Sequence, residues 1–435
     1  MLKRYSTPEM TKTFSEEKKF QRWLDTELAV LLARTHLGKL EMSIYQRILS
    51  QAKFTVEEIE RLDKEIGHDL LAFVGTVQSY LDPELKKYFH AGGMTSYDTE
   101  EPATALIIIE AIDTIIEEIK ILAAALKEKA LEYKHLLKIG RTHGQHAEPT
   151  TLGLTFLFWY DSLVRQTRSL EEAREGMTYS KLSGAVGTYA GGLSPELEKQ
   201  ALHFLKLKPA PISFQIILRD RHLKVMNALE ALAGVLENMA INIRLSGQTE
   251  IRELQEPFGK KQKGSSVMPH KKNTILTENL CGLATLIKCY ALAISIHVPT
   301  WQERDISHSS VERVAVADAF QLTHFMLKRL TKVISGIVVN EKQIEKNLKL
   351  TRGITFSPEV KELLMSEGLD PETAYRTAQG LAFKAIEEDT PYLDLLLFSS
   401  EVPESLKKGL EGVFDYNKTV KFLDHVYERV LGEEA

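Results

Sequence analysis

The stretch Gly264-Ser265-Ser266-Val267-Met268-Pro269-His270-Lys271-Lys272-Asn273 sets hydroxyls on a flexible backbone ahead of two lysines and an amide. An apolar pattern of helical period follows it, from about Thr274 to His297. Cations at a helix start, beside free N–H groups and the positive end of the helix dipole, suit an anion. A mobile loop of this kind can carry a hydroxyl and a lysine onto a carboxylate-bearing substrate. The same residues also suit a solvated linker and helix cap.

Other reactive residues stand at other breaks. In Arg141-Thr142-His143-Gly144-Gln145-His146, His143 has an intrinsic pKa of about 6.5, suited to acid–base work near neutral pH. His143 and His146 are two possible metal ligands, but no third stands at metal-site spacing, so no metal or other cofactor is implied. Arg304 and Arg313 flank Ser307, Ser309 and Ser310. Guanidinium forks bind carboxylate or phosphate bidentately, and serines add single hydrogen bonds. Surface ion pairs with Glu303, Asp305 and Glu312 are the alternative, and Arg219-Asp220-Arg221-His222 has the same ambiguity. His68-Asp69 reads either as an oriented imidazole or as a capping Asp beside a surface His.

The elements that position these residues are helices. Five long ones are expected, over about 102–134, 150–177, 220–247, 274–297 and 311–338. Asp98 or Thr99 would cap the first, with Pro102 in its first turn. Helices of this length with broad apolar faces predict an all-α fold built on a long bundle, part of whose surface is buried between copies of the chain. Shorter helices precede them, capped by Ser15 and Thr55, with Phe20, Trp23, Leu24, Leu28 and Leu31 on one face. Shorter helices return after Asn347. The expected domains are 1–98, a central bundle over 99–348, and 349–435.

Composition narrows the partners. A net charge of −5 argues against nucleic acid or an anionic membrane, and requires a local basic cluster for any anionic substrate. Glu110, Asp113, Glu117, Glu118 and Lys120 interrupt the apolar run Leu106 to Leu126, so no membrane span is expected there. Cys281 and Cys289 lie about 12 Å apart along one helix and cannot bridge. Reduced cysteines, and a start at Met1 to Ser6 without an apolar leader, point to a cytoplasmic protein.

The pattern G-S-S-x-M-P-x-K-x-N, matched by residues 264–273 at every defined position, resembles the signature of the fumarase/aspartase superfamily. Within it, the whole chain is similar to the adenylosuccinate lyase family. Arg4-Tyr5, His68-Asp69, Thr95-Ser96, Arg141 to Pro149, Gln215 with Arg219 to His222, and Arg304 to Arg313 stand where that family has them. The resemblance implies three helical domains and a homotetramer whose active sites are each shared among three subunits. It implies cleavage of adenylosuccinate to AMP and fumarate, and of the succinyl-carboxamide ribotide of purine synthesis to its carboxamide product and fumarate, without a cofactor. By the same analogy, Ser265 is the base, and Lys271 and Asn273 hold the carboxylate on which charge develops. His143 is the acid, and Glu278 is within reach of an imidazole. His68 positions His143 or meets the phosphate, with Asp69 beside it. Arg4, Tyr5, Arg304, Ser309 and Arg313 hold the nucleotide, and Thr95, Ser96 and Gln215 the succinyl group.

The sequence departs from the family around residues 90–102. His90 lies one residue further from Thr95, Tyr97 replaces a small hydroxyl residue, and Glu101-Pro102 replaces a usual Asp-Thr. Thr274 replaces a common proline. Argininosuccinate lyases and carboxymuconate-type cycloisomerases share the Ser265 loop but should lack the Arg304 to Arg313 segment in this form. A non-catalytic scaffold would have no need to retain His143, Ser265 and Lys271 together.

Overall fold

The computed structural model describes residues 2–432. Helices dominate, and the strands form only three two-stranded sheets among the described residues. The five long helices are Ser96–Glu132, Leu152–Met177, Asp220–Ser246, Ile275–Ile296 and Ser307–Ser335. The all-α expectation is met.

The chain divides into two compact units. One comprises Met1–Ile121, Val164–Glu237 and Asn279–Arg329; the other comprises Leu122–Leu163, Asn238–Glu278 and Leu330–Ala435. In the first unit, Phe20, Trp23, Leu24 and Leu31 of the helix Glu16–His36 pack with Phe73 and Phe89, and Leu28 lies against them. Ser15 caps that helix, its hydroxyl accepting from Lys18 N–H at 3.1 Å. Thr55 does the same for Val56–Ile66, accepting from Glu58 N–H at 3.3 Å. In the second unit, the short helices between Ser357 and Leu410 enclose a separate apolar core around Val360, Leu364, Tyr392 and Leu396.

Three local expectations need correction. The helix starting at Ser96 begins before the sequence pattern suggests, because Asp98 reaches back and its carboxylate accepts from Thr95 N–H at 2.9 Å. This is the return half of a capping box. The break at 141–149 is a β-hairpin, Leu137–Thr142 pairing antiparallel with Gln145–Thr151. At His68-Asp69 the histidine is itself the cap: Gly67 takes a left-handed conformation (φ 67°), and His68 Nδ1 accepts from Leu71 N–H at 3.4 Å.

The deepest polar feature of the first unit is an ion pair. Lys181 Nζ lies 2.7 Å from Asp98 Oδ1, with both side chains fully buried. Lys181 also donates to the carbonyls of Gly184 (2.9 Å) and Gln215 (3.2 Å). Asp98 also accepts from Gly184 N–H at 3.2 Å. Removing one partner of such a pair leaves an uncompensated buried charge, at a cost of about 3–5 kcal/mol. Lys181→Met should therefore lower the denaturation midpoint markedly, and Lys181→Met with Asp98→Asn should recover part of the loss. An unchanged midpoint for the single variant would mean that Asp98 is solvated there.

Candidate active site

The first unit holds a cleft of about 560 Å³. Six of the residues singled out by sequence line it: His68, Asp69, Ser96, Arg304, Ser309 and Arg313. They come from three helix starts. His68 and Asp69 open the helix Asp69–Tyr80, Ser96 opens Ser96–Glu132, and Arg304 to Arg313 run into Ser307–Ser335. Helix starts present free N–H groups, and chain breaks gather polar side chains there.

Hydrogen bonds order the cleft. Arg313 donates to Asp69 at 2.8 Å. Arg304 donates to Gln215 Oε1 at 3.0 Å, and Gln215 Nε2 faces Thr95 Oγ1 at 3.4 Å. Thr95 and Gln215 thus join the cleft through Arg304. His68 Nδ1 faces a backbone donor, so the neutral ring carries its proton on Nε2 and can donate. Arg4 and Tyr5 do not line this cleft; Tyr5 packs edge-on against Phe325 and its hydroxyl lies 3.5 Å from Asn279 Nδ2.

Residues outside the sequence motifs also line the cleft. Lys19 and Glu100 line it but belong to no motif. Burial, reinforced by Asp69 and only partly offset by Arg313 and Arg304, pushes the Glu100 carboxyl up to about 7. His90, in the altered segment, is engaged elsewhere: its Nδ1 lies 2.8 Å from Glu27, which also accepts from Thr99 at 2.6 Å. The neighbouring Gly93 has φ 82°, and a Cβ there would sit 2.1 Å from Ala190 O, so a glycine at this position serves a close backbone approach.

The second unit carries His143, Ser265, Lys271, Asn273 and Glu278. His143 and Gly144 form the two-residue tip of the hairpin with φ 53° and 77°. Two positive φ values in such a turn are the type I′ geometry, which matches strand twist. The tip is exposed. Its strands are tied down by Arg141, which grips buried Glu253 at 2.6 and 3.1 Å. Asn347 braces Glu253 from behind at 2.9 Å. His146, beside Arg141 on the paired strand, is held below its usual pKa by burial and by that guanidinium. A lowered pKa makes the protonated form harder to reach, which suits a proton donor poorly.

The loop 264–273 is closed at its base. Asn273 Nδ2 donates to Gly264 O at 2.9 Å, and a Cβ on Gly264 would meet Lys271 O at 1.9 Å. Only glycine allows that approach. Ser265 Oγ accepts from the N–H groups of Val267 (3.3 Å) and Met268 (3.0 Å). Donors aimed at an oxygen favour its charged form. Ser265 is partly covered and Lys271 exposed. Glu278 is exposed and accepts from Thr274 Oγ1 at 3.2 Å. One expectation changes: the N–H groups of Leu276 and Thr277 are taken by the buried Glu256 carboxylate at 3.1 and 2.7 Å. The helix N-terminus is thus already capped by Glu256, which leaves the loop's own donors, among them the Lys271, Lys272 and Asn273 side chains, to meet an anion there.

A family described as lyase matches residues 3–288. The chain is similar to the adenylosuccinate lyase of Aquifex aeolicus, 42% identical over the full length of both chains. It is similar to that of Thermotoga maritima, 41% identical over 99% of each. A fumarate lyase structure from Mesorhizobium sp. BNC1 shares the fold, with a TM-score of 0.89 at 23% identity, covering 99% of this chain and 98% of that one. End-to-end identity of this order, carried by a chain with the Ser265 loop and the arginine-lined cleft, places the protein in the adenylosuccinate lyase family, carbon–nitrogen lyases of the fumarase/aspartase superfamily.

Proposed function

We propose that the chain eliminates fumarate from adenylosuccinate, leaving AMP, and from the succinyl-carboxamide ribotide, with Ser265 as base and His143 as acid. The observation that carries this reading is the cleft in which Arg304 and Arg313 stand with Ser96, Ser309 and His68 and, through Gln215, with Thr95. Such a cluster suits a ligand with phosphate and carboxylate groups.

The chemistry balances with these groups. Ser265 Oγ takes a proton from the carbon next to a succinyl carboxylate. The electron pair passes into that carboxylate, which Lys271 and Asn273 stabilise as its charge grows. The pair then forms the fumarate double bond as the C–N bond breaks, and His143 protonates the departing nitrogen. The two N–H groups on Ser265 Oγ lower the cost of the alkoxide. Arg304, Ser309 and Arg313, with Arg4 and Tyr5 from their own segment, hold the nucleotide; Thr95, Ser96 and Gln215 hold the succinyl group. Asp69 orients Arg313, and Glu278 steadies an imidazole.

The active oligomer is a cytoplasmic homotetramer with sites shared between subunits. Supporting this, the long helices leave large apolar side chains exposed, including Phe158 at 61%, Leu292 at 61% and Ile296 at 65%. By length and composition the helix Ile275–Ile296 could cross a membrane, but contact with other copies accounts equally for its apolar surface.

The first experiment is turnover of adenylosuccinate followed by ultraviolet absorbance, with chelator present and no cofactor added. His143→Asn, which tolerates the left-handed tip, and Ser265→Ala should each lower kcat by about 100-fold or more with helicity and oligomeric state kept. Near-normal kcat in either removes its assigned role. The pH dependence gives a second test. Below about 7 Glu100 is neutral; above it, the carboxylate ionises and competes for Arg304 and Arg313. KM should therefore rise between pH 6 and 8.5 more steeply in the parent than in Glu100→Gln. Comparing the two cancels the titration of the substrate phosphate, and equal slopes would remove Glu100 from the account.

A further inference from the structure

Tyr97 is the residue at which this chain departs most from the small hydroxyl expected there, and it is buried. Its ring lies under the Arg304 guanidinium, 4.0 Å from centroid to Cζ. Its hydroxyl lies 3.2 Å from His308 Nε2. His308 Nδ1 faces the Asp305 carbonyl at 2.9 Å, so Nδ1 carries the proton and Nε2 accepts from the tyrosine. One side chain therefore touches the segment 304–308 twice, once by ring face and once by hydroxyl. It does so from the turn that also holds Thr95 and Ser96.

The contacts divide the arginine's surface. One face of the guanidinium is occupied by the ring, and Nη1 is spent on Gln215. Arg304 lines the cleft, and its Nε is buried without a hydrogen-bond partner. A planar cation held on an aromatic face loses rotational freedom before a ligand arrives, and that raises affinity for a planar carboxylate or a phosphate edge. A serine at this position would supply neither the face nor the reach to His308.

We propose that Tyr97 is a positioning residue for substrate binding, its ring presetting Arg304 for an anionic group of the substrate while its hydroxyl anchors the start of the helix Ser307–Ser335. This rests on the reading that Arg304 binds substrate. The ring is the part that matters for affinity, so Tyr97→Phe and Tyr97→Met separate the two contacts.

The test is steady-state kinetics with adenylosuccinate. The parent protein is assayed first, and an absence of turnover there overturns the functional reading and the inference with it. Given turnover, Tyr97→Met should raise KM about tenfold with kcat changed less than about threefold, and Tyr97→Phe should restore KM to within about twofold of the parent. A merely structural role would lower kcat through loss of active protein and leave KM alone. An unchanged KM in Tyr97→Met, or a Tyr97→Phe as impaired as Tyr97→Met, overturns the inference while leaving the functional reading intact. Tyr97→Leu, a second apolar filler, carries the same comparison if the methionine chain does not fold.

Discussion

A carboxylate and an ammonium without exposed surface, Asp98 and Lys181, hold the first unit's cleft together. An ammonium has three protons, and here each has an acceptor: Asp98, Gly184 O and Gln215 O. Asp98 in turn receives Lys181 and the N–H groups of Thr95 and Gly184. A buried pair is tolerable only when its remaining hydrogen-bonding capacity is met, and this one meets it. The consequence is geometric. Segments around residues 95, 184 and 215, distant in sequence, are fastened at one point. The Gln215 side chain, fixed by its own backbone, can then bridge Thr95 and Arg304.

The second unit works by a different principle. Its reactive groups sit on protrusions that are rigid at the base and open at the tip. The hairpin is fastened through Arg141 to a buried carboxylate, while His143 stands at an exposed turn. The loop 264–273 is closed by backbone contact at Gly264 and by Asn273, while residues 266–272 are exposed. Groups carried this way can meet a ligand from outside the unit without rearranging its core. Glu256 caps the following helix and so frees the loop from that duty.

What the sequence disclosed follows from the range of the forces involved. The long helices were legible because their apolar period repeats over many turns, and the caps at Ser15 and Thr55 because capping is local. The hairpin at His143 was not, because its Gly-containing tip reads as a break unless its strands carry an alternating pattern, and Gln145 to Thr151 do not. The motif residues 68, 69, 96, 304, 309 and 313 stand out in the sequence, yet their meeting in one cleft is a tertiary fact. Glu100, Lys19 and Lys181 belong to no motif; each acquires meaning only from neighbours far along the chain. Tyr97 was visible as an anomaly, and its partners at 304 and 308 supply the physical reason.

Charge explains why the cleft should not act alone. Five carboxylates line it, on Glu16, Glu60, Asp63, Asp69 and Glu100, against three cations on Lys19, Arg304 and Arg313. A substrate bearing a phosphate and two carboxylates would meet a surface short of positive charge, in a chain that is itself acidic overall. Below about pH 7 the protonated Glu100 reduces the deficit by one charge. On the proposed tetrameric reading, the rest would come from other segments. Lys271 and Lys272 stand exposed on their loop, and Arg4 is exposed near the start of the chain. Sites completed by such segments from neighbouring subunits would reach neutrality only on assembly. An isolated chain would then bind the polyanion poorly however well its cleft is formed, and affinity would be coupled to oligomerisation by electrostatics as well as by shape.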